Sequence, residues 1–252
     1  MRFSVITCTY NSEKYVQNNI DSVKNQSFQD FEHVFIDGFS TDGTMEILEK
    51  YKNEFPEKVK TFQCPAKGIG NAMNIGVDRA TGDYIIHLHS DDSFYSPTIL
   101  EKVSDFIQKN NLPNFIYGRA NFFNTETGAK RIIPHRRIYH KLRFWLLLLT
   151  NYVPHQAVFI KKTIFEKYGK FDEQYKNSMD YEMWLRLSKN KISNSFINEI
   201  ICNFSVRRDA QSSFKNIVLK ENLKIQKNII KNKFIYLFIF LISKINSKRR
   251  NF

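Results

Sequence analysis

The sequence predicts an α/β fold: a mostly parallel central sheet flanked by helices, with a basic amphipathic helical tail. Three observations carry this. Short apolar runs rich in β-branched residues alternate with amphipathic stretches of helical length through residues 3–92, the pattern of βαβ units. Polar clusters follow three of those runs: Thr9-Tyr10-Asn11, Asp37 and Asp91-Asp92. In parallel sheets, ligands bind beyond the carboxyl ends of the strands. Finally, charge is uneven. The formal net charge is +13, and residues 214–252 hold ten Lys and Arg against one acid, Glu221.

The elements follow in order. Residues 3–8 read as a buried strand, and Asn11 and Ser12 offer N-cap oxygens for a helix over 13–24. Residues 31–36 form a second strand that runs into a turn of turn-forming residues, 37–43. A helix begins at Thr44 and extends to Tyr51, and residues 59–62 give a third strand. Residues 71–80 form a helix closed by Thr81-Gly82-Asp83, and a fourth strand over 84–89 ends at Ser90-Asp91-Asp92. The second half is less regular. It reads as a helix over 97–109, strands over 115–117 and 120–123, a strand over 155–161, helices over 162–168 and 181–189, and a last strand over 200–206. With no internal repeat and no Pro/Gly linker, residues 1–206 read as one continuous domain and 207–252 as a tail.

Composition excludes several classes. A hydrophobic share of 42% supports a packed core rather than disorder. Cys8, Cys64 and Cys202 are scattered without a CxxC spacing, which argues against a disulfide framework and a zinc site, and for buried thiols in a reducing cytosol. Thr7 and Thr9 interrupt the first apolar run, so no signal peptide is expected. The longest apolar stretches, 144–149 and 234–242, fall short of the roughly 20 residues of a membrane span. In the tail, Ile217, Val218, Leu219, Leu223, Ile225, Ile229 and Ile230 alternate with lysines. Such a helix either lies in the interface of an anionic membrane or packs on the domain with its lysines solvated. The sequence shows no helix-turn-helix, zinc-finger or RNP pattern, and nucleic acid is not an expected partner.

Two adjacent carboxylates after an apolar strand repel each other unless a cation or donors compensate. A divalent ion whose shell is completed by phosphate oxygens suits Asp91-Asp92. So does a structural role, with Asp92 or Ser93 capping the helix after Pro97. Asp37 can accept a bond from a base N–H or a ribose hydroxyl, while Thr41 and Asp42 cap the next helix. The Lys67-Gly68-Ile69-Gly70-Asn71 loop fails the GxGxxG pattern because Met73 takes the third glycine position, yet it suits a close pass by a diphosphate or a sugar.

Five blocks occur in order: SVITCTYN, IDGFSTDGT, KGIGNAMNIGVDRATGDYIIHLHSDD, HQAVFIKKTIFEKYGKFDEQY and MDYEMWLRL. Over residues 3–206 they resemble the family 2 glycosyltransferases of the GT-A fold, especially bacterial members that build surface polysaccharides such as O-antigen and capsule. The resemblance implies a GT-A, Rossmann-like catalytic domain over 1–206, with a nucleotide-sugar-binding half (1–118) and an acceptor-binding half (119–206). It implies metal-dependent, inverting hexosyl transfer from a nucleotide sugar, a UDP-sugar, to a saccharide acceptor that is lipid-linked. The enzyme would be cytoplasmic and peripheral at the inner face of the cell membrane. Thr9, Tyr10 and Asn11 would lie along the nucleotide, Asp37 would meet the base, and Lys67 would join the nucleotide set. Asp91 would approach the ribose or the metal, and Asp92 would bind Mn²⁺ or Mg²⁺. Asp180 would be the catalytic base. Asn71, His155 and Gln156 would form the donor or acceptor pocket, and Arg207 or Arg208 would stand near the diphosphate.

Three departures mark this chain: His89 where many relatives carry Asp or Asn, Asn71 where they often carry Asp, and Met179 where Glu often precedes the base. With one acidic neighbour fewer, Asp180 is expected to keep a lower pKa. Asp180 could alternatively cap the helix that follows it. A nucleotidyltransferase shares the sheet and the metal need, but it would carry glycine where Thr9-Tyr10-Asn11-Ser12 stands. A non-catalytic sugar-binding protein of the same fold is the remaining alternative.

Overall fold

The computed structural model describes residues 2–135, 141–206, 215–230 and 239. Arg207, Arg208 and most of the apolar stretch 234–242 lie outside the described residues.

The first half is a run of βαβ units. Strands β1 (Phe3–Thr9), β2 (Phe31–Asp37), β3 (Val59–Gln63) and β4 (Tyr84–His87) alternate with helices α1 (Val16–Lys24), α2 (Thr44–Glu54) and α3 (Ile69–Arg79). β1 pairs in parallel with both β2 and β4, and β2 pairs in parallel with β3. Every residue of β1, β2 and β4 is buried. Burial on both faces explains why these strands read as near-continuous apolar runs.

The second half adds β5 (Ser93–Phe94), α4 (Ile99–Lys109), β6 (Phe115–Asn124), β7 (Lys130–Ile133), α5 (Phe144–Leu149), a 3-10 turn at His155–Ala157, β8 (Val158–Lys161), α6 (Lys162–Tyr168), α7 (Met179–Lys189), β9 (Asn194–Val206) and α8 (Lys215–Ile229). Among the described residues, one sheet of nine strands runs β3-β2-β1-β4-β8-β6-β9-β5, with β7 paired to β6. β8 is antiparallel to β4 and β6, β9 is parallel to β6, and β5 is antiparallel to β9.

Apolar cores cover both faces. One gathers Ile6, Val34, Ile36, Met73, Val77, Phe165 and Trp184; the other gathers Phe3, Val5, Val23, Ile86, Leu100, Val103 and Phe159. α3 lies so close to β1 that a Cβ on Gly76 would stand 2.4 Å from Ile6 Cγ2. At the other end of the sheet, the fully buried Glu32 accepts bonds from Ser4 Oγ and Lys60 Nζ (both 2.6 Å), from Thr81 Oγ1 (2.8 Å) and from Thr81 N. Burial pushes its pKa up, but these donors win and hold it at about 2. All three cysteines are free thiols.

Several boundaries differ from expectation. α1 starts at Val16, after a turn over residues 13–15. The two strands expected over 115–117 and 120–123 are one strand, β6, with a register irregularity against β9 around Gly118. β9 begins six residues before the expected Ile200, at Asn194. Thr98 holds the N-cap position of α4, so Asp92 and Ser93 do not cap it. Ser178, not Asp180, holds that position of α7 without a side-chain capping bond, while Asp180 Oδ1 accepts the first-turn N–H of Tyr181 at 2.7 Å. No helix among the described residues is long and apolar enough to cross a membrane.

Candidate active site

A cavity of about 500 Å³ opens where the carboxyl end of the β1/β4 region meets the end of β9 and the start of α7. Its lining brings together Asp91, Asp92, His155, Gln156 and Asp180, five of the residues singled out from the sequence.

The turn that carries Asp91 and Asp92 is fixed from beneath. Thr7 Oγ1 donates to Leu88 O at 2.7 Å. The buried Asn19 side chain on α1 donates to His89 O (2.9 Å) and Asp92 O (3.1 Å). From the far end of the sheet, Ser205 N donates to Asp92 Oδ1 at 3.0 Å and Ser205 Oγ donates to Asp91 O at 2.7 Å. Asp92 is therefore 2% exposed yet still lines the cavity. Among the described residues, no group of three or more His, Cys, Asp and Glu is arranged to hold a metal by itself. Two neighbouring carboxylates are hard oxygen donors. They fit Mn²⁺ or Mg²⁺ bound through few protein oxygens, with phosphates filling the shell.

On the β1–β2 side, Asp37 is buried at the strand end. Its Oδ1 accepts from Thr9 Oγ1 (2.9 Å) and Ser40 Oγ (2.5 Å), and its Oδ2 from Ser40 N (2.9 Å) and Gln63 Nε2 (3.2 Å). Thr9 thus orients Asp37, while Tyr10 projects outward at 62% exposure and Phe39 at 52%. Asn11 braces the opposite loop, taking Thr41 N on Oδ1 and donating its own N–H to Ser40 Oγ (both 2.9 Å). Asp42 is structural: it accepts from Thr44 N and Glu13 N (both 3.1 Å). A Cβ on Gly38 would sit 3.0 Å from Tyr10 Cδ2, so a side chain there would push the exposed Tyr10 ring aside. Lys67 is exposed on the loop before α3, and Gly68 turns that loop at φ 105°, a value glycine adopts without strain. Asn71 lies one turn further on and donates to Glu173 Oε2 at 3.1 Å. Ile69 and Met73, rather than Asn71, line the cavity from α3.

Asp180 sits in the first turn of α7. Loss of water around its carboxyl pushes the pKa up to about 6, against hydrogen bonds from Tyr181 N (2.7 Å) and the Asn151 side chain. This reverses the expectation of a lower pKa: burial outweighs the missing acidic neighbour at Met179. Glu221 of α8 adds to the rise through its charge. It also accepts from Lys176 N and Asn177 N (both 2.9 Å), fixing the loop that enters α7.

The floor is aromatic. The ring of His155 stacks 5.4 Å from His87, 5.5 Å from His89 and 6.0 Å from Trp184. Burial lowers the pKa of all three histidines, that of His87 to about 3, and the rings disfavour one another's charge. They are neutral at pH 7. They therefore supply no charge to a phosphate. Two working parts escaped the sequence reading. Ser205 looks like an ordinary strand residue, and His87 lies inside an apolar run that gives no sign of the stack.

The model of glycosyl transferase family 2 matches residues 4–169. The chain is 29% identical over 188 residues to a PGL/p-HBAD biosynthesis glycosyltransferase of Mycobacterium bovis, covering 75% of this chain and 70% of that protein. It is 39% identical over 101 residues to the poly(ribitol-phosphate) beta-N-acetylglucosaminyltransferase TarS of Staphylococcus aureus, covering 39% of this chain and 18% of that one. The fold superposes on a crystal structure of S. aureus TarS in complex with UDP-GlcNAc at a TM-score of 0.76, with 22% identity over 100% of this chain and 74% of that one. A mannosyltransferase from Pyrobaculum calidifontis in complex with GDP-Man and Mn²⁺ gives 0.72, with 16% identity over 97% and 73%.

Proposed function

Because the chain belongs to glycosyl transferase family 2, we propose that it moves one hexosyl unit from a UDP-sugar to a saccharide acceptor during surface polysaccharide synthesis, with inversion. The acceptor is lipid-linked, and the enzyme works as a peripheral protein at the inner face of the cell membrane. The observation that carries the reading is one raised-pKa carboxyl, Asp180, in the same cavity as the Asp91-Asp92 pair.

Residues 1–118 hold the donor. Asp37, aimed by Thr9 and Ser40, accepts the base N–H, and Tyr10, Asn11 and Lys67 border the nucleotide. Asp92 and Asp91 would hold a divalent cation, whose charge would offset that building on the diphosphate leaving group. Residues 119–206 receive the acceptor beside His155, Gln156 and Asp180. Asp180 takes the proton of the acceptor hydroxyl as that oxygen bonds to the anomeric carbon, a role that contributes about 10²–10⁴-fold in rate. The bond from the anomeric carbon to the β-phosphate oxygen breaks, and UDP leaves with the electron pair. A single displacement from the face opposite UDP inverts the anomeric centre. A pKa of about 6 suits a general base, because the carboxyl is ionised at pH 7 yet more basic than an exposed one.

The test is nucleotide release from a panel of UDP-, GDP- and dTDP-sugars, with Mn²⁺ and with chelator, for wild type and Asp180→Asn. Metal-dependent release from a UDP-sugar, lost in the variant, is the expected outcome. Release that is equal in the variant removes Asp180 as base. Failure to bind UDP removes the donor assignment.

A further inference from the structure

Helix α5 is apolar along its whole length, yet Trp145 stands out of it at 61% exposure while Leu147 and Leu148 are buried. A single exposed apolar side chain is ordinary on a protein surface. Its surroundings here are not. Lys141 and Arg143, both exposed, precede it in the chain. Tryptophan beside lysine and arginine is the composition of a membrane–water interface.

The segment is held rigidly. Tyr152 O–H donates to Lys141 O at 2.8 Å and accepts from Arg143 N at 2.9 Å, clamping the entry to α5. Tyr181 O–H donates to Leu147 O at 3.1 Å. Gln226 of α8 donates through Nε2 to Leu148 O (2.9 Å) and to the Tyr181 hydroxyl oxygen (3.1 Å). One buried polar junction therefore ties α5 to α7 and to the basic α8. The chain leaving α5, residues 151–156, lines the catalytic cavity, and Tyr181 follows Asp180 directly.

We propose that Trp145, flanked by Lys141 and Arg143, is an interfacial anchor that inserts into an anionic lipid surface and seats the acceptor side of the cavity against it. This rests on the reading of the acceptor as lipid-linked. It adds a rigid anchor on the catalytic domain to any contribution from the basic tail. Lys141 and Arg143 meet the anionic headgroups, and the indole crosses to the acyl boundary.

The two tryptophans of the chain make the test direct, because Trp184 is fully buried. Full-length protein is mixed with vesicles of phosphatidylcholine alone or with phosphatidylglycerol. Indole emission and co-sedimentation are followed for wild type and Trp145→Ala, and UDP binding is measured without vesicles. The expected result is a blue shift of wild type with anionic vesicles only, and about tenfold weaker sedimentation of Trp145→Ala with unchanged UDP binding. Sedimentation without a shift, or equal sedimentation of both proteins, overturns the proposal. So does a Trp145-dependent dimer that ignores vesicles, which would make this face a protein contact. Loss of UDP binding in wild type itself would count against the transferase reading alone and leave the anchor standing.

Discussion

Ser205 donates its backbone N–H to Asp92 Oδ1 at 3.0 Å, joining the end of β9 to the turn after β4 across 113 residues of chain. This bond aims one carboxylate oxygen without using a cation to do so. An amide oxygen accepts the same bond, so Asp92→Asn keeps the turn folded and removes only the charge. UDP affinity in Mn²⁺, measured by calorimetry, is expected to fall about tenfold or more, while affinity in chelator stays at the wild-type level. Equal metal dependence in the two proteins would remove Asp92 from the metal site.

Asp180→Asn is expected to lose turnover by about 10²–10⁴-fold and to gain stability. The folded pKa of about 6 lies above the unfolded value of 3.8, so the native state binds the proton more tightly. Stability from this group is present below pH 4 and is lost as pH rises through about 6. At pH 7 the ionised, desolvated carboxylate costs about 3 kcal/mol. Thermal unfolding at pH 7 should show the variant melting higher, with the gain gone at pH 4.

Wild-type turnover at saturating donor is expected to fall as pH drops through about 6, following protonation of Asp180. A pH–rate profile checks this. An acid limb near pH 4 would mean that the group is not desolvated when substrate is bound.

The chain is expected to weaken in acid through Glu32. Its pKa of about 2 lies below the ordinary 4.5, so its stabilisation is complete above pH 4.5 and is lost as pH falls through about 2. Glu32→Gln removes the charge that Lys60, itself 34% exposed, and the Ser4 and Thr81 donors bond, and is expected to cost about 1–3 kcal/mol at pH 7. Urea unfolding at pH 7 measures the loss. A variant as stable as wild type would show that solvent already screens the pair.

The first half of the fold was legible because its strands are buried on both faces and its turns carry Gly, Asp and Thr at the strand ends. The second half hid for specific reasons. Gly118 reads as a break in a strand, but β6 runs through it: a Cβ there would lie 2.5 Å from Ile201 Cγ1, so glycine serves the close pairing with β9 at a register irregularity. Residues 194–199 are mixed in polarity and only partly buried, so the first half of β9 carries no clean alternation. Asp37, Asp91 and Asp92 stood out as acids at strand ends, and Asp180 through the resemblance alone; Asp91, Asp92 and Asp180 share one cavity, while Asp37 lies outside its lining at the end of β2. Asn71 stood out equally but is turned toward Glu173. The pKa of Asp180 was misjudged because counting charged neighbours leaves out burial, a property of the assembled cavity.

β9 fills the gap between β6 and β5, and its penultimate residue, Ser205, aims Asp92. On the ribosome, residues 1–193 can emerge and pair their early strands while the slot for β9 stays open and the carboxylate turn lacks its brace. Among the described residues β9 is the last strand to be made, so a chain that stops short of it leaves Asp92 without its Ser205 bond.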